Sequence, residues 1–325
     1  MKQFLLRLIV FIVIISLISL FSLRFFATDT WKREVWLSMN TFFEMQLPRA
    51  YFDSEIENEV KNILMDVKKT FSAYYGDSEL NKINNKAYHE PIKPSPELYE
   101  VLLLAIDFFH MSDGLFDITF QPLQDAYGFH DGRLRIPNEK ELEEILSQIG
   151  SEHIIINHEN RTIQFGLPHM KLNLSGLIKG YALDQVGLYL ESKEIPYYIL
   201  NFGGELRIKA PESVQVQIQH PRKNKMAGSI ELVAGCISTS SDNNQFFIRN
   251  EKRYSHIINP VTGSAINNLY SATIVHPSSA LIADILSTTI VLMEKDQAIT
   301  WIGKNFPQVQ WVMIDETGYY EWLNP

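Results

Sequence analysis

The order of apolar and polar positions along the chain predicts one long apolar run followed by a mixed set of helices and strands. Leu8 to Leu23 carries no charge and follows Lys2 and Arg7. With Phe4, Leu5 and Leu6 before it and Phe25 and Phe26 after it, the run approaches the roughly 20 residues that cross a bilayer, Arg7 and Arg24 snorkelling to the surface. No small-x-small cleavage site stands out between Ser22 and Ala27, so residues 1–27 read as a transmembrane anchor or uncleaved signal. Residues 28–52 follow as a linker and first strand region. Residues 53–325 read as the folded body, with export to the extracytoplasmic side of the membrane the better reading.

In that body Ile56, Val60, Ile63, Leu64, Val67 and Phe71 fall at helical spacing behind Ser54, a capping residue. Ser95-Pro96 opens a second helix through Leu98, Val101, Leu102, Ala105 and Phe109, and a third runs from Asn138 to a stop at Gly150. Strands are expected at His153 to Asn157, Thr162 to Gly166, Tyr197 to Asn201, Val214 to Gln219, Ile230 to Val233, Ser271 to Val275 and Gln310 to Ile314. Helices interleave with them. One from Lys179 to Leu190 carries Leu183, Val186, Gly187 and Leu190 on one face, and a long apolar one from Ser278 to Met293 carries a single interior acid, Asp284. The expected fold class is α+β, a single mixed α/β domain or two closely packed lobes, with its chemistry in the connecting loops.

Composition narrows the function. A length of 325 residues with 46% hydrophobic content allows a sizeable core. The net charge of −9 offers no basic surface for a phosphate backbone, so no nucleic-acid partner is expected. Cys236 is the single cysteine, which excludes an intrachain disulfide, a cysteine-rich zinc site and a lipid-anchored cysteine after the apolar run.

Several segments carry candidate chemistry. In Asn173-Leu174-Ser175-Gly176-Leu177-Ile178-Lys179-Gly180, a glycine-containing strand-to-helix turn presents backbone amides beside a lysine. That arrangement suits a pyrophosphate. A cation at a helix start opposes the dipole, which favours a ligand role for Lys179 over a plain surface role. In Ala283-Asp284-Ile285-Leu286-Ser287-Thr288, the spacing puts Asp284 and Thr288 on one helical face as hard oxygen donors of the kind magnesium prefers. Asp284 sits in an apolar stretch where an unpaired charge is costly. The remaining segments are Phe71 to Leu80 with Tyr74, the Asp113-Gly114-Leu115-Phe116-Asp117-Ile118-Thr119 turn, Asn201-Phe202-Gly203-Gly204-Glu205, Ile237-Ser238-Thr239-Ser240, and Tyr254-Ser255-His256-Ile257-Ile258-Asn259-Pro260-Val261-Thr262-Gly263.

Taken in order, these segments resemble the motifs of the ApbE family, the FAD:protein FMN transferases. The resemblance spans nearly the whole body. It implies flavin or FAD contacts at Tyr74, Leu115, Phe116, Asp117, Asn173, Lys179 and Ile258. It implies a magnesium site at the Gly176 carbonyl, Asp284, Ser287 and Thr288, with His256 as the catalytic residue. The implied reaction uses FAD as substrate, attaches FMN through a phosphoester to a threonine of an exported or membrane redox protein, and releases AMP. Two other outcomes stay open: FAD pyrophosphatase activity giving FMN and AMP, and a noncatalytic flavin-binding role in a membrane complex. The chain departs from the family pattern at Asn173 and Asn259, where aspartate is usual, and at Ser241, where glycine is usual. Thr41-Phe42-Phe43-Glu44-Met45 replaces an expected Met-Gly-Thr element, leaving Met45 as a loose substitute flavin contact.

Overall fold

The computed structural model describes residues 31–266 and 269–322. The apolar run at residues 8–23 lies outside them, and among the described residues no helix is long and apolar enough to cross a membrane. The chain opens with β1 (Trp31–Ser38) and β2 (Thr41–Pro48), then α1 (Ser54–Phe71), α2 (Glu79–Lys86), α3 (Pro96–Met111), α4 (Gln121–Tyr127) and α5 (Glu139–Leu146). A small hairpin of β3 (Ile154–Asn157) and β4 (Thr162–Phe165) precedes α6 (Ile178–Ser192). Next come β5 (Tyr198–Phe202), β6 (Glu205–Gln219), β7 (Met226–Ser241), β8 (Phe246–Arg249), β9 (Lys252–Ser255) and β10 (Leu269–His276). The chain then forms α7 (Ala280–Val291), α8 (Lys295–Asn305), β11 (Gln310–Asp315) and β12 (Tyr319–Trp322).

Eight strands form one antiparallel sheet in the order β1-β2-β5-β6-β7-β10-β11-β12. Both faces of its centre are buried, which explains why the strands read as apolar runs rather than as alternating patterns. In β11, Trp311 and Met313 enter the core under the helices while Val312 and Ile314 enter a second core on the opposite face. Tyr198, Leu200 and Ile199 of β5 divide the same way. Beyond a register shift between Lys209 and Val214, the far half of the β6–β7 hairpin adds Val214, Ile218 and Ile230 to that second core. A satellite cluster of Leu123, Tyr127, Ile149 and Ile258 packs with Phe247 and Tyr254. These layers make one mixed α/β domain.

The expected helices form, with adjusted ends. Asp53 rather than Ser54 caps α1, its Oδ1 accepting from the Ile56 N–H at 2.8 Å, because a carboxylate also gains from the helix dipole. Ser95 and Pro96 start α3, and Asn138 caps α5, which stops at Leu146, short of Gly150. Residues 31–48, expected within a linker and first strand region, supply a full hairpin, and β2 pairs with β5. Met45 is fully buried in the main core, so the sequence expectation of a flavin contact there is corrected: strand alternation turns it into the hydrophobic interior.

Helix α6 buries Leu183, Val186 and Leu190, each contributing about 1.5–3 kcal/mol. It carries two glycines, each unfavourable by about 1 kcal/mol against alanine in a helix. Close packing explains both. A Cβ on Gly180 would lie 2.3 Å from the Ala280 carbonyl oxygen, and one on Gly187 would lie 2.2 Å from the Arg207 side chain. Gly180 therefore lets α6 touch the first turn of α7, which sets the geometry of the site.

Candidate functional site

Where α6, α7, β7 and the loops meet, a cleft of about 220 Å³ opens. Its lining includes Leu115, Phe116, Asp117, Asn173, Gly176, Lys179, His256, Ile258, Asp284 and Thr288, together with Glu205 and Ser240. Segments more than a hundred residues apart in the chain thus converge on one cavity.

The α7 side of the cleft is a net of hydroxyls around Asp284. The Gly180 N–H donates to Asp284 Oδ2 at 3.1 Å, and Ser238 Oγ donates to Oδ1 at 3.4 Å. Ser287 Oγ lies 3.1 Å from Ser238 Oγ and 3.0 Å from Ser240 Oγ, and Ser240 Oγ lies 3.2 Å from Thr288 Oγ1. Thr288 Oγ1 in turn donates to the Gly176 carbonyl at 3.5 Å. Ser287 is fully buried among these serines and is not part of the cleft lining. Its i,i+3 step from Asp284 turns it toward β7. The Asp284 carboxylate, Thr288 hydroxyl and Gly176 carbonyl are all hard oxygen donors, a set that fits a small divalent cation such as magnesium.

Lys179 forms an ion pair with Glu205, the acid that follows the Gly203-Gly204 turn. Burial works against the Lys179 ammonium, but Glu205 and Asp284 outweigh it and hold the group charged. Burial pushes the Glu205 carboxyl up to about 7, Asp284 adding to the shift and Lys179 opposing it. Burial also raises the pKa of Asp284, against Lys179, the Gly180 N–H and Ser238.

His256 follows β9, and its ring Nδ1 lies 3.1 Å from the Gln245 carbonyl oxygen. A carbonyl only accepts, so Nδ1 carries the proton and Nε2 keeps its lone pair. Burial lowers the His256 pKa to about 4, with Lys179 lowering it further and the Gln245 carbonyl and Asp242 opposing. The ring is therefore neutral at pH 7, further from titration than the ordinary histidine value suggests.

The loop residues are tied together by polar side chains. The Ser175 N–H donates to Asn173 Oδ1 at 2.8 Å, which fixes the amide so that Nδ2 donates to Gln121 Oε1, Tyr74 Oη and Gln124 Oε1 at 2.5, 2.9 and 3.2 Å. An aspartate could not donate these bonds, so the glutamines and the neutral Asn173 form a matched set. Tyr74 Oη also donates to Gln124 Oε1 at 3.0 Å, while its ring stacks on His130 at 4.9 Å. Tyr74 is not in the cleft lining; it reaches the site through its hydroxyl, with one ring face already covered. Asp117 Oδ1 accepts from the Thr119 N–H, Thr119 Oγ1 and Ser151 Oγ at 2.7–2.8 Å, locking the turn that presents Leu115 and Phe116. Asn259 Oδ1 accepts from the Val261 and Thr262 N–H groups, a turn-forming role in which it spends its acceptor on backbone.

An antiparallel sheet backed by helices, with one cleft holding hard oxygen donors and a fixed ammonium, places the chain among mixed α/β proteins with a built small-molecule site. The chain belongs to the ApbE family, whose family model matches residues 39–313. It is 31% identical over 275 residues to the FAD:protein FMN transferase of Haemophilus influenzae, covering 80% of this chain and 79% of that protein. It is 29% identical over 288 residues to the FAD:protein FMN transferase of Vibrio cholerae, covering 86% of each. The ApbE protein of Thermotoga maritima superposes with a TM-score of 0.83 at 25% identity, covering 90% of this chain and 96% of that one.

Glu205, Ser238, Ser240, Gln121 and Gln124 carried no functional assignment from sequence. The Gly203-Gly204 turn before Glu205 was the one local signal available, since it marks where the backbone must bend sharply to deliver the acid.

Proposed function

We propose that the chain is a magnesium-dependent FAD:protein FMN transferase that moves the FMN half of FAD onto a threonine of an acceptor protein. The bond formed joins the threonine oxygen to the FMN phosphorus, the bond broken is the pyrophosphate bridge, and AMP leaves. The observation that supports this most is the convergence of Lys179, His256, Asp284, Thr288 and the Gly176 carbonyl on one cleft in a chain of this family. FAD is a substrate here, so no hydride-transfer machinery is required.

Positioning and charge neutralisation dominate phosphoryl-type transfer. Asp284, Thr288 and the Gly176 carbonyl would hold magnesium, with Ser287 behind them as a buried support. A bound divalent cation neutralises pyrophosphate charge. Lys179 adds a permanent positive charge beside the same group. Neutral His256, with Nε2 unprotonated, accepts the threonine proton as the hydroxyl attacks. Leu115, Phe116 and Ile258 supply apolar walls for the flavin half, and Asp117, Asn173 and Tyr74 hold the loops that present them. The acceptor is an exported or membrane redox protein, a reading that rests on the apolar run at residues 8–23 and places the domain on the periplasmic side. Protease accessibility in spheroplasts tests that placement; protection of the folded domain in intact spheroplasts overturns it.

The direct test mixes the full-length chain in detergent with FAD, magnesium and an exported flavoprotein carrying an acceptor threonine, then weighs the acceptor. A mass gain equal to FMN, lost with chelator and on replacing the acceptor threonine by alanine, is expected. Free FMN and AMP without the gain would identify a hydrolase, and no reaction with a proven acceptor would identify a noncatalytic partner.

A further inference from the structure

Glu205 is 4% exposed, lines the cleft, and has one oxygen engaged by Lys179. Its other oxygen, Oε2, is buried without a hydrogen-bond partner. Every other charged group of the cleft floor is matched, and Glu205 is held there by a demanding turn. Gly203 and Gly204 adopt φ of 65° and 109°, a left-handed pair that side chains resist. A Cβ on Gly203 would also lie 2.8 Å from Thr41 Oγ1, and the Gly204 N–H is fixed by Asn201 Oδ1 at 2.9 Å. A carboxylate that served only to anchor Lys179 would need one oxygen, and burying the second without a partner is unfavourable.

The charge balance points the same way. Glu205 and Asp284 bring two carboxylates to one buried cluster in which Lys179 supplies the one ammonium, its field acting on both acids. Ionised, the cluster keeps one negative charge in excess, which a proton offsets in the free site and a bound cation can offset in its place.

We propose that Glu205 is a further ligand of the cation site, its Oε2 facing the divalent ion beside Asp284 and Thr288, with Lys179 holding the carboxylate in place. This rests on the magnesium site of the function proposed above and adds to it a second carboxylate lining the same cleft, at the start of β6 after the Gly203-Gly204 turn. The two acids then divide the work: Asp284 is oriented by the Gly180 N–H and Ser238, and Glu205 by Lys179. Affinity for a hard divalent ion rises with the number of charged oxygen ligands.

The test is a Mn2+ titration of the full-length chain in detergent, read by the electron paramagnetic resonance signal of free Mn2+, without FAD. Glu205→Gln preserves shape and should weaken Mn2+ binding by about tenfold or more, approaching the loss caused by Asp284→Asn. An unchanged Mn2+ affinity in Glu205→Gln, with or without a change in melting temperature, overturns the proposal and leaves Glu205 as a structural partner of Lys179. Should Glu205→Gln fail to fold, Glu205→Asp keeps the charge but shortens its reach, and the same loss is expected; unchanged affinity there overturns the proposal equally. A wild-type chain that transfers FMN but binds no Mn2+ sinks this inference while the transferase reading stands. Mn2+ binding that depends on Glu205 in a chain that transfers nothing supports the inference and removes the transferase reading.

Discussion

Helix α6 carries two buried ionic networks a little over one turn apart, and they behave in opposite ways. At Asp184 every oxygen is used. Its Oδ1 accepts from Arg207 Nη1 at 2.6 Å and the Ala280 N–H at 2.8 Å, and its Oδ2 accepts from Ser279 Oγ and the Leu281 N–H at 2.8 and 3.0 Å. Arg207 also donates to Tyr198 Oη and the Ser278 carbonyl, and reaches Glu191 at 3.4 Å, so this network ties α6 to the start of α7 and to the sheet. At Lys179 the network borders a cleft and leaves Glu205 Oε2 without a partner. A fully satisfied buried network is scaffold, while one with an unpaired oxygen carries a cost that only an arriving partner relieves, which is the opening the proposal above uses. Gly180 separates the two networks and makes both possible, by letting α7 approach closely enough for its first turn to meet Asp184 and Asp284 to meet the Gly180 N–H.

Breaking the scaffold network should have the largest effect. Arg207→Met leaves the part-buried Asp184 without its charge partner, a change expected to cost up to about 3 kcal/mol, the lower end for a fully buried pair. Urea unfolding should show that loss, with the Km for FAD of the folded fraction unchanged; a loss under 1 kcal/mol would show the network is not structural.

Asp284→Asn should invert the pattern. Its raised pKa means that folding disfavours the charged carboxylate, so the neutral amide should leave stability unchanged or increased in metal-free buffer. Transfer should fall by about 10²–10³-fold, the scale of one lost electrostatic group in an active site. Substantial destabilisation without magnesium would place Asp284 with the scaffold instead.

His256 sharpens the contrast through pH. Its charged form is disfavoured in the folded chain, with a pKa lowered to about 4 against an ordinary value near 6.5. Above about pH 6.5 the ring is neutral in both folded and unfolded chains and contributes nothing to pH dependence. As pH falls from 6.5 toward 4 the unfolded chain takes the proton first, so stability drops through that window. If His256 is the base, the acid limb of kcat/KM lies near pH 4 rather than 6.5, and His256→Asn lowers transfer by about 10²-fold or more while FAD still binds. An acid limb at 6.5 would show that burial, with Lys179 beside it, does not depress the ring as the structure has it.

The smallest effect is expected at Tyr74. Tyr74→Phe removes the hydroxyl that links Gln124 and Asn173 and should cost about 1 kcal/mol, seen as a few-fold weaker FAD binding with kcat nearly unchanged. A larger effect on kcat would give Tyr74 a direct part in the reaction.

Much of this was legible in the sequence because it depends on local rules. Helix periodicity and the Ser95-Pro96 and Asn138 starts located three helices, and the i,i+4 step from Asp284 to Thr288 put both on one face. The hairpin at residues 31–48 was harder to read, since β2 acquires its faces by pairing with β5 and β1 follows as the edge strand. Ser287, a ligand in what the family resemblance implies, has its hydroxyl turned by a single helical step toward Ser238 and Ser240. Tyr74, a flavin contact in what the resemblance implies, has one face of its ring stacked on His130, a residue brought there by the fold.

By itself the sequence determined the α+β class, the acidic, single-cysteine character of the chain, and the segments that carry its oxygen donors, lysine and histidine. Those follow from periodicity, capping and residue chemistry, which act over a few residues. Only the tertiary structure decided which of those groups share a cleft, why Asn173 works as an amide, how far burial depresses His256, and that Glu205 stands beside Lys179 with an oxygen to spare. Each of these depends on burial and on partners 26 to more than a hundred positions away, and both are set by how α6, α7 and the sheet pack rather than by any stretch of chain alone.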